Sequence, residues 1–160
     1  MKYASNYAMA GKLIRQFLKA SNIDGKVSGQ GYAGGSSIRV HVVDLKPAQA
    51  KLVEDFAKQF EYGSFDGMED IYRYDNVNKE LPQVSHVFIN NVVSPSLSQS
   101  IWDFARARYA GLESAPADYK EAYNFYVADS NMYASSYIFR LFAGGYQWND
   151  FWDYLDKKAA

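Results

Sequence analysis

The sequence predicts an α+β protein: a small, mostly antiparallel sheet in the order α-β-β-α-β-β, packed with two helices and followed by an aromatic-rich helical extension. Three observations predict it. Apolar residues near the N-terminus recur at helical spacing, Ile38 to Val42 alternates with a period of two, and the character of the chain changes at Ser94. Of twenty-seven aromatic residues, sixteen fall in residues 101–160. The expected division is an α+β domain over 1–93 and a helical subdomain over 94–160 packed on it.

Tyr3, Tyr7, Ala10, Ile14 and Phe17 lie four and three apart, so Tyr3 to Lys19 reads as a helix with one buried stripe. Asp24-Gly25 marks a turn, and a weak strand follows at Lys26 to Gly31. In the next strand Ile38, Val40 and Val42 point one way, and Arg39 and His41 the other. Pro47 suits the first turn of a second helix. Leu52, Val53, Phe56 and Phe60 form its stripe, Glu54 and Lys58 pair along it, and Gly63 stops it. Asp70 to Tyr74 and Val84 to Val93 read as two further strands, joined as a long hairpin by the polar segment Asp75 to Gln83. Beyond them, Ser94-Pro95 opens a helix that Gly111 closes. Further helices are expected from Ser114 through Tyr126, across Tyr133 to Phe142 up to Gly144-Gly145, and from Asn149 to Lys157.

Composition narrows the function classes. With 48% hydrophobic residues the chain can bury a core, and with no cysteine it has neither a disulfide framework nor thiolate metal sites. No apolar run approaches membrane-spanning length and no signal-peptide core follows Met1-Lys2-Tyr3, so a cytoplasmic protein without membrane contact is expected. The net charge of −1 conceals an uneven distribution. Residues 1–60 hold nine Lys or Arg against four acids, whereas residues 61–100 hold two against six.

Candidate chemistry is sparse. Gly29 to Ser37 is rich in glycine but sits between two strands without a following Gly-Lys-Ser/Thr, so it reads as a hairpin rather than a phosphate loop, with Tyr32 at its tip. The run Phe65-Asp66-Gly67-Met68-Glu69-Asp70 lacks the ligand spacing of a calcium loop and reads as a turn entering a strand. His41 and His86 have no metal-site spacing, and no serine sits in a nucleophile elbow. The least implausible enzymatic set is Asp66, Glu69, Asp70 and His86. No catalytic residue, metal or cofactor is expected. Arg39 and His41, with Tyr72 and Tyr74, form a candidate basic and aromatic sheet surface for unpaired bases.

The succession Tyr32-Ala33-Gly34-Gly35-Ser36-Ser37-Ile38, then a helix, then Phe65-Asp66-Gly67-Met68-Glu69-Asp70-Ile71-Tyr72-Arg73-Tyr74, with Val87-Phe88-Ile89-Asn90 as last strand, resembles a large polyvalent protein-associated domain. The resemblance covers about residues 1–92. Such domains occur in phages, plasmids and other mobile elements. It implies an accessory or counter-defence factor in the host cell, binding a host defence protein or complex, and it brings no catalytic residues. The expected contact residues are Tyr32, Gly34, Gly35, Ser36, Phe65, Asp66, Met68, Asp70, Tyr72 and Tyr74, or the aromatic C-terminal surface. Homodimerisation through the aromatic C-terminal helices is the further expectation, and a nucleic-acid-binding accessory is the alternative function.

Overall fold

Apolar residues at helical spacing form the first element, α1 (Asn6–Ala20), in the computed structural model, which describes residues 5–160. Tyr3, expected at the start of the α1 stripe, lies outside those residues. The buried face is Ala10, Gly11, Ile14 and Leu18, with Tyr7 and Phe17 packed at its margins. β1 (Gly25–Tyr32) and β2 (Gly35–Val43) make an antiparallel hairpin, and α2 (Pro47–Lys58) follows. β3 (Ser64–Asp66) and β4 (Ile71–Arg73) form a separate short hairpin before β5 (His86–Val92).

β5 pairs with β2, not with β4, and it does so in parallel, giving the sheet order β1-β2-β5. The expected long hairpin across Asp75–Gln83 is thereby corrected. A parallel neighbour needs a long crossover, and α2 supplies it between β2 and β5. The polar segment is instead ordered by Gln83, whose amide donates to Gln59 O and Asn76 O and accepts from Asn78 N. The other strand pairings among the described residues are antiparallel.

Both helices cover one face of this sheet. Ile38, Val40 and Val42 of β2 are buried against Ile14, Leu18, Val53 and Ala57, and Phe17 stacks on Phe56 with ring centroids 4.0 Å apart. The α1–β1 approach is close because β1 presents glycine to the helix: a Cβ at Gly29 or Gly31 would meet the Tyr7 ring at 3.0 or 3.2 Å. Three details of α2 differ from expectation. Leu52 is 58% exposed, because Val53 and Ala57 turn inward instead. Lys58 pairs with Glu61 rather than Glu54, since Glu61 lies against the edge of β5, where it accepts from Val87 N while Lys58 Nζ donates to Val87 O at 2.8 Å. The helix ends at Gln59, so Gly63 does not stop it.

The chain divides into two compact units, Met1–Val92 and Val93–Ala160. In the second, Ser94 caps α3 (Pro95–Arg108) by accepting from Leu97 N at 3.2 Å. The helix expected over 114–126 shortens to one turn, α4 (Tyr119–Ala122), capped by Asp118. A small hairpin follows, β6 (Tyr126–Val127) with β7 (Met132–Tyr133), because Phe125 O accepts from Ala134 N across it and Asn131 takes a left-handed turn conformation. α5 (Ala134–Ala143) ends at Gly144 and α6 (Asp150–Ala159) closes the unit. Trp102, Leu112, Leu141, Phe151 and Trp152 fill its core. Among the described residues no helix is long and apolar enough to cross a membrane.

Candidate recognition surface around Ser85 and the open sheet face

The Gly34-Gly35 turn and the strand that follows the Asp66-Gly67 turn converge on one buried serine. Ser85 is held to the β1–β2 hairpin by two bonds, Ser36 N donating to its Oγ at 3.2 Å and Ser85 N donating to Ser36 O at 3.0 Å. From the other side Tyr62 Oη shares a 2.7 Å hydrogen bond with Ser85 Oγ, and Tyr72 Oη donates to Ser85 O at 2.6 Å. Gly35 is required there, because a Cβ would lie 2.5 Å from Ser85 Oγ and 3.0 Å from the Tyr32 ring. Gly63 is required for the same kind of reason: a side chain would overlap the Arg73 carbonyl and approach the Tyr72 ring at 2.6 Å. Gly34 has φ +88° with open space around it, so it serves the turn itself.

An almost unbroken series of rings runs outward from this point. Tyr74 stacks on Tyr62, and Tyr72 meets both edge-on at 5.2 and 5.8 Å. Tyr72 also meets His86 edge-on at 5.6 Å, His86 stacks on Phe88 at 5.8 Å, and the Arg39 guanidinium lies 5.6 Å from the Phe88 centroid. Burial pushes the Tyr72 hydroxyl up to about 12, with neighbouring Tyr62 and Glu61 adding to it. The phenol stays protonated and keeps its donor bond to Ser85.

The face of the sheet opposite the helices is exposed. Register places Ser28, Arg39 and Phe88 in one row across the strands, and Lys26, His41 and Asn90 in the next. None of the three strands contains Asp or Glu. Phe88 is 50% exposed, and parity finds it: Val87 and Ile89 point into the core, so Phe88 must point out. Ser85, Tyr62 and Phe88 were not among the sequence-derived site residues, and Ser85 had no local signal because its partners come from three separate segments.

The acidic turn is internally satisfied. Asp66 Oδ1 accepts from Met68 N at 3.0 Å and Glu69 N at 3.4 Å, and Arg73 bridges Asp66 and Glu69. Asp70 is an exposed residue with φ 54°. His86 packs between rings, and its contacts are with Tyr72 and Phe88 rather than with these acids. No group of three His, Asp or Glu among the described residues is placed to hold a metal ion. Phe65, Met68, Ile71 and Tyr74 are exposed on and beside the β3–β4 hairpin, Met68 at 97%. Of the contact residues expected from sequence, Tyr32, Gly35, Ser36 and Tyr72 gather at Ser85, Tyr74 adjoins them through Tyr72, and Phe65, Asp66, Met68 and Asp70 lie at the hairpin.

Fold and surface define a small α+β domain: a three-stranded mixed sheet with helices on one face, an open second face, and a short hairpin tied beside it. Residues 6–96 match the large polyvalent protein associated domain 29, and the chain belongs to that family of phage and mobile-element domains. The match takes in both glycine-bearing turns and Ser85. No curated protein and no solved structure shows significant similarity to the chain.

Proposed function

We propose that this protein is a non-enzymatic interaction factor of a phage or other mobile element, acting in the host cytoplasm to bind and block a host defence complex of the CRISPR or restriction type. One observation carries the reading: four large apolar side chains, Phe65, Met68, Ile71 and Tyr74, are held in water on a braced hairpin. The brace consists of Arg73 with Asp66 and Glu69, Ser64 Oγ donating to Asp75 at 2.8 Å, and Tyr72 donating to Ser85. A hairpin ordered in advance loses little conformational entropy on docking, and exposed apolar anchors are what interface hot spots are made of. Family membership supplies the context, since a domain of mobile elements meets host defences on entry.

The test is protection of an infecting phage or incoming plasmid in hosts carrying a defined CRISPR or restriction system. Wild-type protein is expected to raise plating or transformation efficiency and to retain a component of that system through nuclease treatment. The double variant Phe65→Ser, Met68→Ser is expected to lose both while keeping its circular dichroism. Absence of protection against every system tried would overturn the reading.

A further inference from the structure

We infer that the open face of the sheet is a binding site for single-stranded nucleic acid, distinct from the apolar hairpin. The argument rests on what the face carries and what it lacks. Lys26 and Arg39 provide permanent positive charge, Ser28, His41 and Asn90 provide polar atoms, and Phe88 provides an exposed ring. No carboxylate occurs in any of the three strands, although the chain as a whole carries a net charge of −1. Lys26 and Arg39, two of the nine Lys or Arg in residues 1–60, therefore make this surface complementary to a phosphate backbone in sign.

Phe88 decides between nucleic-acid forms. Its ring is braced from one side by His86 and approached by Arg39, so it stands as a fixed platform rather than a mobile side chain. Stacking on such a platform requires a base that is not paired and stacked within a duplex. Two lysine or arginine cations are too few to hold a duplex by its phosphates alone, but they suit a short single strand crossing from Lys26 to Phe88. In that pose a base rests on Phe88 while Arg39, one strand over, meets the adjoining phosphate.

The experiment is fluorescence anisotropy of a labelled twelve-residue oligothymidylate titrated with the full chain at several sodium chloride concentrations. Binding is expected at low salt, with the logarithm of the dissociation constant rising against that of salt with a slope of about 1 to 2 for two phosphates neutralised. Phe88→Ala should weaken it on the order of ten-fold or more, while Phe88→Trp, which keeps a stacking face, should retain it. Arg39→Gln should weaken binding and flatten the salt slope. Met68→Ser, on the hairpin, should leave it unchanged, so that this assignment and the protein-docking reading fail separately. No anisotropy change at the lowest salt, equal affinity for a duplex, or equal affinity of Phe88→Ala would each overturn the assignment. So would sedimentation showing a dimer that Phe88→Ala dissociates, because the face would then be covered by a second copy.

Discussion

The two units arrange their aromatic side chains differently. In Val93–Ala160 Trp102, Phe104, Tyr137, Phe142, Phe151 and Trp152 are buried, the indole groups of Trp102 and Trp152 each donating at 2.9 Å, to Pro116 O and Phe142 O, while Tyr123, Tyr126, Tyr133, Phe139, Tyr146 and Tyr154 are exposed. In Met1–Val92 the rings are fewer, yet Tyr62, Tyr72, Tyr74, His86 and Phe88 run from a buried serine onto an exposed surface. A ring count along the sequence thus does not separate the core rings of the second unit from its exposed ones, and misses the connected series in the first. Where a ring sits relative to backbone parity and to its hydroxyl's partner says more than how many rings a segment holds.

The comparison breaks most sharply at Trp102. Trp102→Ala empties the centre of the second core and leaves Pro116 O without its donor, and should cost about 3–5 kcal/mol. Hydrogen exchange should show the α3 and α5 amides losing protection. If they keep it, the aromatic cluster is not what holds that unit. Gly63→Ala should come next, at about 2–3 kcal/mol, because the new methyl has backbone rather than a flexible side chain in its way. Gly67→Ala, with only the Phe65 ring near at 3.9 Å, should be nearly silent in the same thermal melts.

Ser85→Ala should cost about 1–2 kcal/mol by leaving Ser36 N and Tyr62 Oη without their partner. The more diagnostic result is local, with the amides of the β1–β2 turn exchanging faster. A weaker effect is expected from pH. The Tyr72 hydroxyl is raised to about 12, so the folded state keeps a proton that the unfolded chain gives up near the ordinary tyrosine value of about 10. The stabilisation is complete below that value and is lost as pH rises toward 12. Tyr109, raised by burial and by Asp150, adds to it in the second unit. Melting temperature should therefore fall across this window, and less steeply in Tyr72→Phe. The smallest effect belongs to Asp55→Asn, which removes the exposed Lys51–Asp55 pair and should leave the melting temperature within error.

Much of the fold was legible because it rests on local periodicity. The alternation of Ile38, Val40 and Val42 with Arg39 and His41 placed both faces of β2 correctly, and Ser94-Pro95 marked the start of α3. The misreadings share a cause. Strand Val84–Val93 was identifiable, but whether it paired with its neighbour in sequence or crossed over to β2 is a non-local choice, decided by where α2 could lie on the sheet. Tyr119 to Tyr126 had helical spacing, yet the left-handed Asn131 and the Phe125–Ala134 bond favoured a hairpin.

The surface followed the same division. By itself the sequence determined the family, the two glycine-rich turns, the absence of cysteine and the outward parity of Arg39 and His41, since each of these is a property of consecutive residues. Only the tertiary structure decided that Ser36, Tyr62 and Tyr72 meet at Ser85, that Phe88 stands beside Arg39, and that Arg73 bridges Asp66 and Glu69 while the three sheet strands carry no acid. Those relations join residues dozens of positions apart, and the burial of the core beneath them, rather than any local propensity, brings them together.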